Sequence, residues 1–97
     1  MKSLELFRLN GKSAIVTGGG SGLGHAMAVA LAEAGASVAV ADVDEANAKK
    51  VRDEIIALGR ASLAIKVDVT NPSEVANMVD ETVREFDTLD ILVNSAG

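Results

Sequence analysis

The sequence predicts an α/β fold, a Rossmann-like doubly wound parallel sheet of four strands in the order 3-2-1-4 with three helices. Short apolar runs alternate with segments whose apolar residues recur at helical spacing, giving β-α-β-α-β-α-β over 97 residues. Five glycines occupy positions 18–24, directly between the first apolar run and the first helical segment. This alternation indicates a parallel sheet with helices on both faces. A ligand is expected where the strand order reverses.

The composition narrows the function classes. The net charge of −5 argues against nucleic acid as a partner. The chain has no cysteine and one histidine, so neither a disulfide nor a zinc or other metal site is expected. No apolar signal run opens the sequence and no segment is long enough to span a membrane, so we expect a cytoplasmic protein without a membrane partner.

The first half of the chain is predicted to hold two strands and two helices. A lead-in containing Leu4, Leu6, Phe7 and Leu9 is expected under the first strand, Ser13 to Thr17. The first helix is predicted from about Gly22 to Ala34, ending at Gly35, and the second strand from Ala36 to Ala41. The apolar face assigned to this helix contains Leu23, Ala26, Met27, Ala30, Leu31 and Ala34. Asp44 is the predicted N-cap of the second helix, whose buried stripe is Ala48, Val51, Ile55 and Leu58.

The second half is predicted to add a strand, a helix and a final strand. The third strand runs from Ala61 to Val67, and the third helix starts with Asn71 as cap, Pro72 and a capping-box Glu74. Its predicted core face contains Val75, Met78, Val79, Val83 and Phe86. The fourth strand, Leu89 to Val93, should pair with the first strand and form an edge of the sheet.

The glycine turn predicts a phosphate-binding site. Gly18, Gly22 and Gly24 give the spacing G-x-x-x-G-x-G, whereas the pattern G-x-G-x-x-G is absent. A Walker loop is excluded because His25 stands where its lysine is needed, and His25 itself is interpreted as a packing or surface residue. Unpaired amides at the helix start, including those of Gly22 and Leu23, could face a pyrophosphate, and Ser21 could add a hydroxyl hydrogen bond.

Asp42 follows the second strand, 18 residues after Gly24. A carboxylate near this spacing can accept hydrogen bonds from the adenosine ribose and would repel a 2′-phosphate, so NAD is favoured over NADP. Asp42 could instead be a helix cap or a solvated loop acid, although Asp44 is the better cap. Val43, which follows Asp42, is included in the predicted cofactor site.

Thr17-Gly18-x-x-x-Gly22-x-Gly24 resembles the T-G-x-x-x-G-x-G signature of the short-chain dehydrogenase/reductase family. The resemblance implies that Asp68 and Val69 hold the adenine, although Asp68 alone could equally be a turn residue. Asn94-Ser95-Ala96-Gly97 resembles the N-N-A-G motif of the family, with Ser95 in place of the second Asn. Asn94 would then brace the sheet centre through backbone hydrogen bonds, while Ala96 and Gly97 would lie beside the cofactor.

The resemblance covers essentially the whole chain but only the first part of the family's usual length. Family members transfer a hydride between a nicotinamide and an alcohol or ketone, with a Tyr and Lys in Y-x-x-x-K beyond the N-N-A-G motif. This chain contains no Tyr, so no catalytic residue can be assigned. We therefore expect residues 1–97 to be the truncated, cofactor-binding part of a longer single-domain enzyme, and the resemblance implies a homo-oligomer.

Two other function classes fit the strand–turn–helix pattern. A transferase that uses S-adenosylmethionine also has a glycine turn after strand one and an acid after strand two. A non-catalytic nucleotide-binding module would bind NAD without turnover. Thermal shifts with NAD and with S-adenosylmethionine would separate the first alternative from an oxidoreductase.

Overall fold

Four parallel strands form one sheet in the computed structural model, which describes residues 8–95. The strands are β1 (Ser13–Thr17), β2 (Ser37–Asp42), β3 (Ser62–Lys66) and β4 (Ile91–Asn94). Their order across the sheet is β3-β2-β1-β4, and each neighbouring pair is parallel. The predicted fold class and strand order are confirmed.

Three helices cover the two faces of this sheet. They are α1 (Gly22–Glu33), α2 (Glu45–Ala57) and α3 (Pro72–Phe86). α1 and α2 pack on one face, where Val16 and Val40 meet Ile55, while α3 packs on the other, where Ile15 meets Met78. Every residue of β1 is buried, as expected for a central strand covered on both faces.

The predicted apolar face of α1 is wrong at most of its positions, although Leu31 packs against the core as predicted. Its buried residues are Gly24, Ala28 and Ala32, whereas Leu23 is 72% exposed. This helix is apolar almost all round, so hydrophobic spacing cannot select the face that meets the sheet. The smallest side chains face β1 and β2, because they allow the closest approach of helix to sheet.

The faces of α2 and α3 were predicted more closely. Ala48, Val51 and Ile55 are buried as expected, but Leu58 is 44% exposed because it is the C-cap residue beyond the last turn of α2. On α3, Thr82 is buried in place of the predicted Val83, and its hydroxyl donates to the Met78 carbonyl. That bond satisfies the only polar group Thr82 brings into the core.

Most of the predicted helix ends are confirmed. The Asp44 carboxylate accepts from the Asn47 amide, and the Asn71 side chain accepts from the amides of Ser73 and Glu74. Gly35 has φ +112° just after α1 and Gly59 has φ +87° just after α2. Glu74 departs from a capping box, because its carboxylate accepts from the Asp68 amide.

The sheet edge formed by β4 begins later than predicted. The strand starts at Ile91 because Thr88 and Asp90 close a turn: the Asp90 carboxylate accepts from the Ser13 amide and the Thr88 hydroxyl. Leu92 is 60% exposed on this edge. Leu9 is half-buried against the core, whereas the other lead-in predictions, Leu4, Leu6 and Phe7, lie outside the described residues. Within residues 8–95, no helix is both long and apolar enough to cross a membrane.

Candidate ligand-binding site

The carboxyl ends of the four strands bring the predicted site residues that fall within residues 8–95 to one end of the sheet. Thr17, the last residue of β1, is aligned with Ala41 on β2 and with Asn94 on β4. The glycine turn therefore follows β1 at the level where Asp42 ends β2 and Asn94 ends β4. Ligands of open parallel sheets bind at this end, where the strand order reverses.

A pocket of about 240 Å³ opens between the ends of β1, β2 and β3. The residues that line it are Gly18, Asp42, Val43, Val67, Asp68 and Val69. Five of these six were predicted from the sequence. Val67 was assigned only to a strand, although it directly precedes Asp68 and its backbone amide donates to the Asp42 carbonyl at 3.0 Å. Its position next to a predicted site acid is the signal that could have identified it.

The amides of the glycine turn divide into two groups. The Gly19 amide donates to the Ala41 carbonyl at 3.1 Å, and the Gly20 amide donates to Asp42 Oδ2 at 3.0 Å. The four amides of residues 21–24 make no hydrogen bond with any residue in the range 8–95. Ser21 is the N-cap of α1, yet its side chain accepts no capping bond. The N-terminus of α1 thus presents unpaired donors and its positive dipole end.

Two glycines of the turn serve different purposes. Gly22 has φ +57°, and a Cβ added there would meet nothing within 4 Å, so this position faces open space. Gly24 has no such room. A Cβ there would lie 2.7 Å from the Gly18 carbonyl carbon and closer still to the carbonyl oxygen and the Ser95 hydroxyl. Gly22 therefore lets the backbone turn, while Gly24 lets α1 start directly against β1.

Asp42 is half-buried and fixed by two backbone donors. Its Oδ2 accepts from the Gly20 amide, and its Oδ1 accepts from the Asp44 amide at 2.9 Å. Asp44 is the α2 cap, as predicted, but Asp42 is not wholly free of local bonds. An ionised carboxylate has about four lone-pair sites, so Asp42 can still accept from the hydroxyls of a ligand.

Asp68 is exposed and closes the turn that follows β3. Its Oδ1 accepts from the Thr70 amide at 2.9 Å and from the Thr70 hydroxyl at 2.6 Å. These bonds, led by the one from the hydroxyl, lower the pKa of Asp68 below its ordinary value. Asp68 therefore does stabilise the turn after β3, one of the two roles considered for it. The Oδ2 atom accepts no bond from residues 8–95, so it can accept from a ligand in the pocket.

Asn94 and Ser95 are bound to the end of β1. The Thr17 hydroxyl donates to Asn94 Oδ1 at 2.8 Å, and the Ser95 hydroxyl donates to the Thr17 carbonyl at 2.6 Å. The Asn94 side chain thus bonds to a hydroxyl, where backbone partners were expected. Asn94 also lines a smaller pocket of about 150 Å³ with Thr17 and Leu92. The predicted site residues Ala96 and Gly97 lie outside the described residues.

His25 points to α2. Its Nε2 lies 3.1 Å and 3.2 Å from the two carboxylate oxygens of Glu54, and both side chains are partly exposed. His25 is accordingly a surface residue that joins two helices, in agreement with the prediction. Among residues 8–95, no group of three histidine or acidic side chains is placed to hold a metal ion.

Comparison with protein-family models matches residues 12–97 to the short chain dehydrogenase model. Versicolorin reductase 1 of Dothistroma septosporum is 47% identical over 96 residues, which cover 98% of this chain and 36% of that protein. The 7alpha-hydroxysteroid dehydrogenase of Escherichia coli K12 is 43% identical over 90 residues, which cover 93% of this chain and 35% of the relative. The chain thus spans little more than a third of these relatives.

Solved structures of hydroxysteroid dehydrogenases are also similar to this chain. A crystal structure of a hydroxysteroid dehydrogenase from Escherichia coli superposes with a TM-score of 0.91 at 43% identity, covering 98% of this chain and 40% of the other. A 7 alpha-hydroxysteroid dehydrogenase complexed with NADH and 7-oxo glycochenodeoxycholic acid gives a TM-score of 0.89 at 41% identity, with coverages of 97% and 36%.

Proposed function

The chain belongs to the short-chain dehydrogenase family, and from this membership we propose that it supplies the NAD-binding part of an oxidoreductase. The proposed reaction is hydride transfer between the nicotinamide and an alcohol or ketone. One observation carries the proposal: the four unpaired amides of residues 21–24 lie beside a fixed carboxylate, Asp42, at the switch point of the sheet.

The residues fit a dinucleotide in a definite order. The amides of Ser21, Gly22 and Leu23 would bind the pyrophosphate, because a helix N-terminus favours an anion. Asp42 would accept hydrogen bonds from the adenosine ribose. Asp68 Oδ2 would accept from the adenine amino group, while Val69 packs against the ring. When bound, NAD supplies the hydride chemistry, and the chain's own residues hold and orient it.

Apolar side chains around the pocket support this arrangement. Val43 is 67% exposed and Val69 is 39% exposed, although both line the cavity between the strand ends. An exposed valine gains by covering an apolar ring, at about 25 cal/mol for each Å² removed from water. The pocket therefore combines two acids, which orient a ligand, with apolar side chains that favour a planar base.

NAD is proposed over NADP because of the Asp42 charge. Its carboxylate lies where the ribose is expected, and a 2′-phosphate placed there would meet a like charge. No lysine or arginine is among the residues lining the 240 Å³ pocket. The repulsion would therefore lack a compensating cation within that pocket.

The catalytic residues of the proposed enzyme belong to another part of it. The 97 residues contain no tyrosine, so the tyrosine implied by the resemblance is not among them. In this proposal residues 1–97 form the cofactor-binding part of one longer domain. A cytoplasmic location and a homo-oligomeric state stay predictions. An S-adenosylmethionine transferase receives no support from the family match.

The proposal is tested by measuring NAD and NADP affinity with isothermal titration calorimetry. Wild-type protein should bind NAD more tightly. Asp42→Asn removes the charge, so NAD affinity should fall about tenfold or more, as expected for one charge-assisted hydrogen bond of about 1.5–3 kcal/mol. The difference between the NAD and NADP affinities should be smaller in Asp42→Asn than in the wild-type protein.

Asp44→Asn is the matched control. It lies two residues away and caps α2, and asparagine also caps helices well, so cofactor preference should not change. Equal wild-type affinity for NAD and NADP would contradict the cofactor assignment. Tighter binding of S-adenosylmethionine than of NAD would contradict the family-based function. Full-length protein that binds NAD but turns over no alcohol or ketone would favour the non-catalytic module.

A further inference from the structure

The turn before β1 contains the only Asn-Gly pair in the sequence, Asn10-Gly11. Both residues are exposed. The Lys12 amide donates to the Leu9 carbonyl at 2.9 Å, and Gly11 has φ +81°, so the turn has the geometry of type II. We propose that Asn10 is a site of spontaneous modification, where deamidation converts it to aspartate and isoaspartate.

The chemistry needs water and no other reagent. The Gly11 backbone nitrogen attacks Cγ of Asn10, a C–N bond forms, the bond to the side-chain nitrogen breaks, and ammonia leaves. Water then opens the resulting succinimide at either of its two carbonyls. Opening at one carbonyl gives aspartate, and opening at the other gives isoaspartate, with the main chain running through the former side chain. No atom is oxidised or reduced.

Gly11 meets the two requirements of the attacking nitrogen. Its amide makes no hydrogen bond with any residue between 8 and 95, so attack breaks no native bond. It also carries no side chain, and nothing lies within 4 Å of the position where a Cβ would be. The ring that must form at this peptide therefore meets little steric resistance.

The other four asparagines are each protected at the following nitrogen. Pro72 follows Asn71 and offers no N–H. The amide of Ala48, after Asn47, donates to the Asp44 carbonyl, and Asn77 lies inside α3. The Ser95 amide, after Asn94, donates to the Thr17 carbonyl at 3.1 Å. Asn10 is thus distinguished by its place in the fold as well as by its sequence.

Modification at this turn would disturb the anchor of the lead-in segment. The Leu9 amide donates to the Ala34 carbonyl, and the Leu9 side chain packs against the core formed with α1 and α2. Asn10 also packs closely on Gly35: a Cβ added at Gly35 would meet the side-chain oxygen of Asn10 first and would lie 3.1 Å from both its Cγ and its backbone nitrogen. Isoaspartate adds one carbon to the backbone at residue 10, so the Lys12 amide would no longer be placed to donate to the Leu9 carbonyl.

The experiment ages purified protein at neutral and at mildly alkaline pH under native conditions. Peptide mass mapping then follows the conversion of each asparagine to the acid, and an isoaspartyl methyltransferase assay detects isoaspartate. We expect conversion at Asn10, faster at the higher pH because the attacking nitrogen must lose its proton, and none at the other four asparagines over the same period.

Asn10→Ser is the matched control, since it keeps Gly11 and the turn but removes the reacting amide. The aged wild-type protein should have a lower Tm than the aged variant, whereas the two fresh proteins should differ little. An intact Asn10 after ageing, or conversion of Asn94 at the same rate, would overturn the proposal. Complete conversion with no loss of Tm would overturn the predicted effect on the lead-in anchor.

Discussion

Replacing Gly24 by alanine should destabilise the protein, although alanine is the better helix former. Gly24 is buried in the first turn of α1, and its surroundings leave no volume for a methyl group. The added Cβ would lie 2.7 Å from the Gly18 carbonyl carbon, and closer to the Gly18 oxygen and the Ser95 hydroxyl. Because two of these atoms belong to the backbone, α1 or the glycine turn must shift.

Two opposing terms set the expected magnitude. At an exposed helix position, Gly→Ala increases the free energy of unfolding by about 1 kcal/mol because alanine has the higher helix propensity. Overpacking a filled site costs about 1–3 kcal/mol, and a backbone clash falls at the upper end of that range. The net expectation for Gly24→Ala is therefore a loss of about 1–2 kcal/mol in the free energy of unfolding, with the sign opposite to that of propensity.

Urea denaturation of wild type and variant measures this difference, and NAD titration measures the effect on binding. Ser95→Ala in the Gly24→Ala background should not restore stability, because the contact with Gly18 remains. Gly22→Ala is the matched control at an open position, where only the positive φ of +57° is strained. A Gly24→Ala protein more stable than wild type would refute the close approach of α1 to β1.

Two further predictions concern polar contacts made by Asp90 and by His25 with Glu54. Hydrogen bonds from the Ser13 amide and then the Thr88 hydroxyl lower the pKa of Asp90 below its ordinary value of 3.8. The ionised Asp90 side chain therefore stabilises the folded protein above pH 3.8, and this contribution is lost as the pH falls through the lowered pKa. Asp90→Asn should flatten the acid limb of a stability–pH curve, and an unchanged limb would contradict this linkage. His25→Ala and Glu54→Gln should each change the urea-derived unfolding free energy by less than about 1 kcal/mol, because the pair is partly exposed. A double-mutant cycle with a larger coupling would show that this contact matters more than expected.

The features that sequence predicted well depend on local chemistry. Asn71 followed by Pro72 specifies a helix start whatever surrounds it, and the structure has that cap. The strand order follows from short crossovers of one hand between parallel strands, which leave few alternative topologies. Four apolar runs and three helical segments were therefore enough to place the ends of the strands together.

The features that sequence missed depend on contacts between distant segments. The buried face of α1 was wrong because Ala26 and Ala30 are as apolar as Ala28 and Ala32, so only contact with the sheet distinguishes them. The hydrogen bond from the Asp68 amide to Glu74 was missed for a related reason. The sequence spacing of a capping box predicts that Glu74 accepts from the amide of Asn71. In the structure the turn after β3 brings the Asp68 amide close to Glu74, and the carboxylate accepts from that amide instead.

The amides of residues 21–24 are free at the start of α1, whereas the two preceding amides of the glycine turn donate to residues of β2. The Ala41 carbonyl takes the Gly19 amide and the Asp42 carboxylate takes the Gly20 amide, so both bonds fix the turn before any ligand arrives. Asp42 therefore has two tasks in the proposed site, positioning the turn and contacting the ribose. Asp42→Ala would remove both together. Asp42→Asn keeps one oxygen for the Gly20 amide, but its NH2 group replaces the oxygen that accepts from the Asp44 amide, so the variant loses the charge and one backbone hydrogen bond. A fall in NAD affinity without a fall in the free energy of unfolding would therefore report the ribose contact itself.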